Sequence, residues 1–247
     1  MSDTPPQSEQ ATREAFAQRD WPAVVTAADE AVAHSEQPLE ARRLRGWALY
    51  HLKRYDEALE DFNEILRLEP TTTDAALGRG RCYRMLGRID ESAAEFYLAH
   101  KLSPTDPHPL CERGAVLILD ERWDEALADY KAAEALDPNH PGLASYFAEL
   151  YLYWGRPAEA LATARRGLER EPGSVMHRVN FAHALLFCGQ RVEALAEYEA
   201  IRERIAVSEH VSGRAIVLND LRLMREAGLV CDGFDEVEAS MRRPAQA

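Results

Sequence analysis

Apolar and polar positions along this chain repeat with two periods at once. Over short stretches apolar side chains recur three or four places apart, the spacing that gathers them on one face of a helix. Over longer distances the pattern returns every 34 residues: Pro70, Pro104, Pro138 and Pro172 close successive stretches, and Leu68, Leu102 and Leu136 precede three of them by two places. One column in this period reads Gly46, Gly80, Gly114, Ala148, Ala182, and a second reads Ala58, Ser92, Ala126, Ala160, Ala194, all small. A third reads Phe62, Phe96, Tyr130, Ala164, Tyr198, and a fourth opens with Tyr55, Ile89 and Trp123 before Pro157 and Arg191 depart from it. Small side chains let two helix backbones approach, and aromatic ones fill the space between them. The pattern therefore predicts a helix-turn-helix unit that stacks on copies of itself.

In the stretch 39–72 the first helix is expected over Glu40–Leu52 and the second over Asp56–Leu68. The acidic pairs Asp56-Glu57, Asp90-Glu91 and Asp124-Glu125 fall where second helices begin. There they meet unpaired N–H groups and the positive end of the helix dipole, which accounts for them without any acid–base role. Pro157 falls in a first helical turn, where a missing N–H costs nothing. Extended both ways, the register gives six units: 5–38, 39–72, 73–106, 107–140, 141–174 and 175–208. The outer ones are degenerate, as terminal repeats facing water should be. Beyond them, in 209–247, Val211–Glu226 reads as an amphipathic helix closed by Gly228, and Asp235–Met241 as a short helix before a frayed PAQA tail. This segment is either a solvating cap or a docking or dimerisation helix.

The stretches YDEALEDFNEILRLEP and WDEALADYKAAEALDP, set in small–small–aromatic–alanine–proline columns, resemble the tetratricopeptide-repeat family over residues 5–208. The resemblance implies an all-α fold, a right-handed α-solenoid superhelix of stacked antiparallel helix pairs. It also implies a non-enzymatic protein-interaction scaffold or adaptor, with an extended peptide or helix of a partner held in a concave groove lined by first helices. Carried onto this sequence, the groove positions include Arg13, Arg43, Trp47, Tyr50, His51, Arg81 and Arg84, then Ile118, Leu119, Tyr153, His183 and Phe187. The first group is rich in arginine and the second is apolar and aromatic, while acidic residues gather on second helices. The expected partner thus carries an acidic and apolar motif. The arginine cluster equally fits a solvated face, and Tyr153 and Phe187 equally fit packing between units. Arg45, Arg79 and Arg113, each before a glycine of the small column, fit a structural role. Relatives that grip a chaperone's C-terminal carboxylate use Lys and Asn where this chain has Trp47, Arg81 and Glu149, so that mode of binding is not expected. Two other readings stay open: a scaffold that self-assembles through its C-terminal helix into a homo-oligomer, and a regulator that senses a peptide.

Composition narrows this further. A net charge of −13 argues against nucleic acid and anionic membrane surfaces as partners. Of 29 basic residues only Lys53, Lys101 and Lys131 are lysine, a skew that suggests a GC-rich bacterial source. Cys82, Cys111, Cys188 and Cys231 form no C-x-x-C pair and no metal-ligand spacing, as expected of free thiols in a reducing compartment. No signal-peptide pattern and no run of 18 apolar residues occurs, so a cytoplasmic location is expected. G-x-S-x-G, Walker and H-E-x-x-H motifs are missing, and the eight histidines are scattered. No catalytic residue, metal site or cofactor is expected.

Overall fold

The computed structural model describes residues 7–35, 38–202, 205–206, 211–229 and 231–243; the PAQA tail lies outside them. Its contacts cluster into two units, Met1–Asp120 and Glu121–Ala247. The first holds α1 (Gln7–Ala17), α2 (Trp21–His34), α3 (Leu39–His51), α4 (Tyr55–Leu68), α5 (Thr73–Met85), α6 (Ile89–Leu102) and α7 (His108–Leu119). The second holds α8 (Trp123–Leu136), α9 (Leu143–Tyr153), α10 (Pro157–Arg170), α11 (Val175–Phe187) and α12 (Arg191–Ile201), followed by α13 (Gly213–Glu226) and α14 (Phe234–Arg242). Two-residue strands β1 (Ile205–Ala206) and β2 (Val211–Ser212) pair antiparallel between α12 and α13. All the other described elements are helices.

The columns of the sequence are the buried seams of these helices. Ala58, Ala126, Ala160 and Ala194 are fully buried, as are Phe62, Phe96, Tyr130 and Tyr198. The fourth column marks the first residue of a second helix, from Tyr55 in α4 to Arg191 in α12. Close approach explains the glycines. A Cβ on Gly46 would stand 3.0 Å from the Phe62 ring and one on Gly78 only 2.5 Å from it, so Phe62 of α4 wedges between α3 and α5.

The turn inside each helix pair has one geometry. Arg19, Lys53, Gly87, Glu121, Gly155 and Gly189, each 34 places after the last, all adopt the left-handed conformation with φ between 56° and 75°. The residue after the turn donates its N–H five places back, as from Arg54 to the Leu49 carbonyl and from Arg88 to that of Tyr83, both 2.9 Å. Those bonds close orphan carbonyls at a helix C-terminus. Three of the six positions carry side chains where glycine is favoured, at a local cost.

A row of arginines ties neighbouring pairs together, the structural role expected of them. Arg45 on α3 binds both oxygens of Asp61 on α4, at 2.7 Å each, and reaches back to Asp29 on α2 at 2.5 Å. Arg79 on α5 repeats this with Glu95 on α6 and Asn63 on α4. Arg113 on α7 lies over the Tyr97 ring at 4.8 Å. Asp61, 1% exposed, also accepts from Arg42, so its burial is matched by two guanidinium groups.

In the second unit, Leu185, Leu186, Tyr198, Val217, Leu221, Val237 and Met241 form one core that joins α11 and α12 to α13 and α14. Ser212 caps α13, its hydroxyl accepting from the Ala215 N–H. Helix α13 thus starts at Gly213 rather than Val211.

Two substitutions test this packing by urea titration followed by circular dichroism. Gly78→Ala should destabilise by about 1–3 kcal/mol by driving a methyl into the Phe62 ring, despite alanine's better helix propensity. Lys53→Gly should stabilise by about 0.5–1 kcal/mol by relieving a left-handed residue that bears a side chain.

Candidate peptide-binding face

On the first unit the expected N-terminal residues come together on one face of α3, α5 and α7, but not as a basic pocket. Arg43 is held by Glu40 through two bonds of 2.8 and 2.9 Å and lies 3.7 Å from Asp74. Trp47 donates its Nε1–H to Asp74 at 2.9 Å and packs edge-on to Tyr50 and Phe62. Arg81 grips Glu112 at 2.5 Å, meets His108 at 2.9 Å and lies over the Trp47 ring. Arg84 takes the other oxygen of Glu112 at 2.8 Å. Arg13 stays exposed, 4.0 Å from Glu40. Four arginines therefore face three carboxylates, Glu40, Asp74 and Glu112. The strong positive field expected there is largely cancelled, because the first helices bring their own acids to the same face.

Burial pushes the Glu112 carboxyl up, but Arg84 and Arg81, aided by His108, outweigh it and leave its pKa below the usual 4.5. His51 stacks on Trp21 at 4.2 Å, and burial, helped by Arg19 and Arg81, lowers its pKa. Leu119 is 59% exposed, whereas Ile118 is 4% exposed and belongs to the core. The i,i+1 step between them turns one outward and the other inward on a helix.

On the second unit α9, α11 and α13 enclose a trough of about 600 Å³. Tyr153 and Leu152 line one wall, Ser145, Glu149 and Gly142 continue it, and Met176, His177, Asn180 and His183 come from α11. Asp220, Leu223 and Met224 of α13 close the end. His183 is not the open contact expected of it. It is 1% exposed, its Nδ1 lies 2.6 Å from the Tyr198 hydroxyl and its Nε2 3.4 Å from Asp220. Phe187 packs edge-on against Phe234 of α14 and supports the core rather than the trough.

Sequence reasoning passed over Glu40, Asp74, Glu112 and Asp220. A signal existed for two of them: Glu40, Asp74 and His108 stand 34 apart and form a polar column of their own. Asp220 lies outside the period, so no column points to it. Among the described residues no group of three or more His, Cys, Asp or Glu side chains is placed to hold a metal ion. Among the described residues, too, no helix is long and apolar enough to cross a membrane.

Comparison with known families settles what the helix pairs are. A family model described as tetratricopeptide repeat matches residues 39–72, and a second model of that description matches 117–179. The chain is a tetratricopeptide-repeat protein. Its fold, an all-α repeat solenoid, is shared with solved tetratricopeptide structures. A thermophilic tetratricopeptide-repeat protein of Thermus thermophilus is 26% identical, with a TM-score of 0.60 over 73% of this chain and 98% of that one. A tetratricopeptide-repeat protein of Parabacteroides merdae is 13% identical, with a TM-score of 0.70 over 96% of this chain and all of that one. PilW, described as a type IV pilus biogenesis factor, is 18% identical, with a TM-score of 0.71 over 88% of this chain and all of that one. No curated protein matches the chain.

Within this tetratricopeptide scaffold the Glu112 cluster should act through folding. Its depressed carboxyl pKa stabilises the folded state above the unfolded carboxyl value near 4.5, and that contribution is lost as pH falls through the folded value. Glu112→Gln should cost roughly 2 kcal/mol at pH 7, less than a fully buried pair because the arginines are part exposed. It should also flatten the fall in stability on acidification, both read from urea titrations across pH.

Proposed function

We propose that this chain is a non-enzymatic scaffold whose first helices dock an extended peptide or a helix of a partner protein. The division is that of the sequence, six repeats over 5–208 with 209–247 as a C-terminal cap. The observation that carries the reading is the trough on α9, α11 and α13. It is open, largely apolar in its lining and furnished with a few convergent polar groups, the make-up of a site for a side chain. Tetratricopeptide repeats generally serve protein–protein interaction, which fits.

The arginine cluster has a different duty. An acidic segment docking on Arg81 and Arg84 would have to displace Glu112, which is already bound to both. Arg81 and Arg84 are therefore assigned to holding α5 against α7, with Leu119, Met85 and the Trp47–Tyr50 edge left as the contact surface of that unit. Self-assembly through the C-terminal helix is the weaker reading, because the apolar stripe of α13, from Ile216 to Met224, is packed within the chain. A cytoplasmic setting suits the four free thiols, of which Cys82 is made inert by burial that pushes its pKa up to about 12.

Photo-crosslinking side chains placed one at a time test the face. A partner should be captured from Met85 and Met176, on first helices, and not from Val192, which is 80% exposed on the second helix α12. Equal capture from Val192 would discard the first-helix face.

A further inference from the structure

Two cations in the first unit are unlike their neighbours. The arginines from Arg42 to Arg88 each lie 3.0 Å or less from a carboxylate oxygen. Arg19 and Lys53 are exposed, and among the described residues neither has a carboxylate partner. The acids closest to them in sequence are engaged elsewhere. Asp20 accepts from the Ala23 N–H and caps α2, and Glu57 takes two bonds from Arg54 at 2.5 and 2.6 Å. The charge of Asp56 acts on Arg88 and Cys82 of the following pair. Both cations also occupy the left-handed turn position, with φ of 57° and 62°, where the next turn of this unit uses Gly87. A side chain there costs local stability, so the fold by itself favours glycine. Nor do the cations close the helix ends before them: the Asp20 and Arg54 N–H groups do so, donating to the Ala15 and Leu49 carbonyls.

The two turns lie side by side. His51, the last residue of α3, stacks on Trp21 at 4.2 Å with the rings 11° from parallel, which sets the turn after α1 against the turn after α3. Burial lowers the His51 pKa, and Arg19 and then Arg81 lower it further, the mark of a positive field at that ring. Met85 and Leu119 hold the place of His51 in α5 and α7, and both are exposed. The edge formed by the ends of the first helices therefore runs from cationic to apolar.

We propose that Arg19 and Lys53 receive an acidic segment of the partner peptide, two carboxylates set against the two cations beside the His51–Trp21 stack. Apolar residues of the same segment lie along Met85 and Leu119. The assignment rests on the docking reading above and deepens it, because it fixes which end of the bound segment is acidic. It uses cations that no described carboxylate already holds, whereas Arg81 and Arg84 are taken by Glu112.

The test uses the full chain and an array of acetylated, amidated nonapeptides of leucine and alanine that carry two adjacent glutamates in each register. Every peptide is paired with a glutamine twin, which keeps the shape of glutamate and loses its charge. In at least one register the glutamate peptide should bind about tenfold more tightly than its twin, as expected for charge-assisted hydrogen bonds. That gap should shrink with added salt. It should close in the double variant Arg19→Gly, Lys53→Gly, whose urea midpoint should hold or rise because two left-handed side chains are relieved. Equal binding of both twins overturns the acidic assignment and leaves the docking reading standing. A gap that persists in the double variant places the anion elsewhere and also overturns it. A gap that closes along with a lowered urea midpoint assigns the two cations to the fold, which overturns it too. Binding of no peptide, in wild type or variant, sinks the docking reading as well.

Discussion

A helix pair of 34 residues has more apolar surface than it can cover by itself, and the rest of this structure follows from that. Each pair must bury its second face on the next, so the helices have to come close and stay in register. Phe62 shows how closely: its ring fills the space between the backbones of α3 and α5 because Gly46 and Gly78 carry no side chain there. The left-handed turn repeated in every pair, from Arg19 to Gly189, sets the angle at which the pair enters that contact. Packing and turn geometry together leave part of the outer side of the first helices open, which is where docking is proposed.

Most of the fold is legible in the sequence. The small and aromatic columns name the buried seams, and the fourth column names the first residue of each second helix. Gly78 goes unnamed, since it stands outside the column of Gly46 and Gly80 and betrays itself only through contact with a ring from the preceding pair. The site is legible in part. Positions such as Trp47, Arg81 and Tyr153 follow from the period, but the balance of charge on them does not. Glu112 lies on the buried side of α7 by period and still reaches Arg81 and Arg84 on α5, a pairing set by helix spacing rather than by sequence order. His183 and Ile118 depart from expectation for a related reason. Each sits at a groove position by count, yet α13 covers the first and the core takes the second.

The two halves of the chain pair some of their carboxylates with different groups. On α3, α5 and α7 guanidinium groups and carboxylates sit side by side and satisfy one another, which stiffens the stack and lowers its appetite for charged partners. On α9, α11 and α13 two of the acids that line the trough, Glu171 and Asp220, lie beside imidazoles instead. The overall charge of −13 conveys neither arrangement, because each depends on which residues share a face.

The arginine row has a consequence for how the chain comes apart. Arg45 bonds backward to Asp29 and forward to Asp61, and Arg79 bonds backward to Asn63 and forward to Glu95. Each therefore fastens three successive helices, the middle one belonging to the same pair as only one of its neighbours. Peeling away a single 34-residue pair leaves a guanidinium on the remaining pair without its backward partner, although its bidentate bond to its own pair survives. The row therefore links each pair to the one before it by a lighter bond than the one that closes the pair itself.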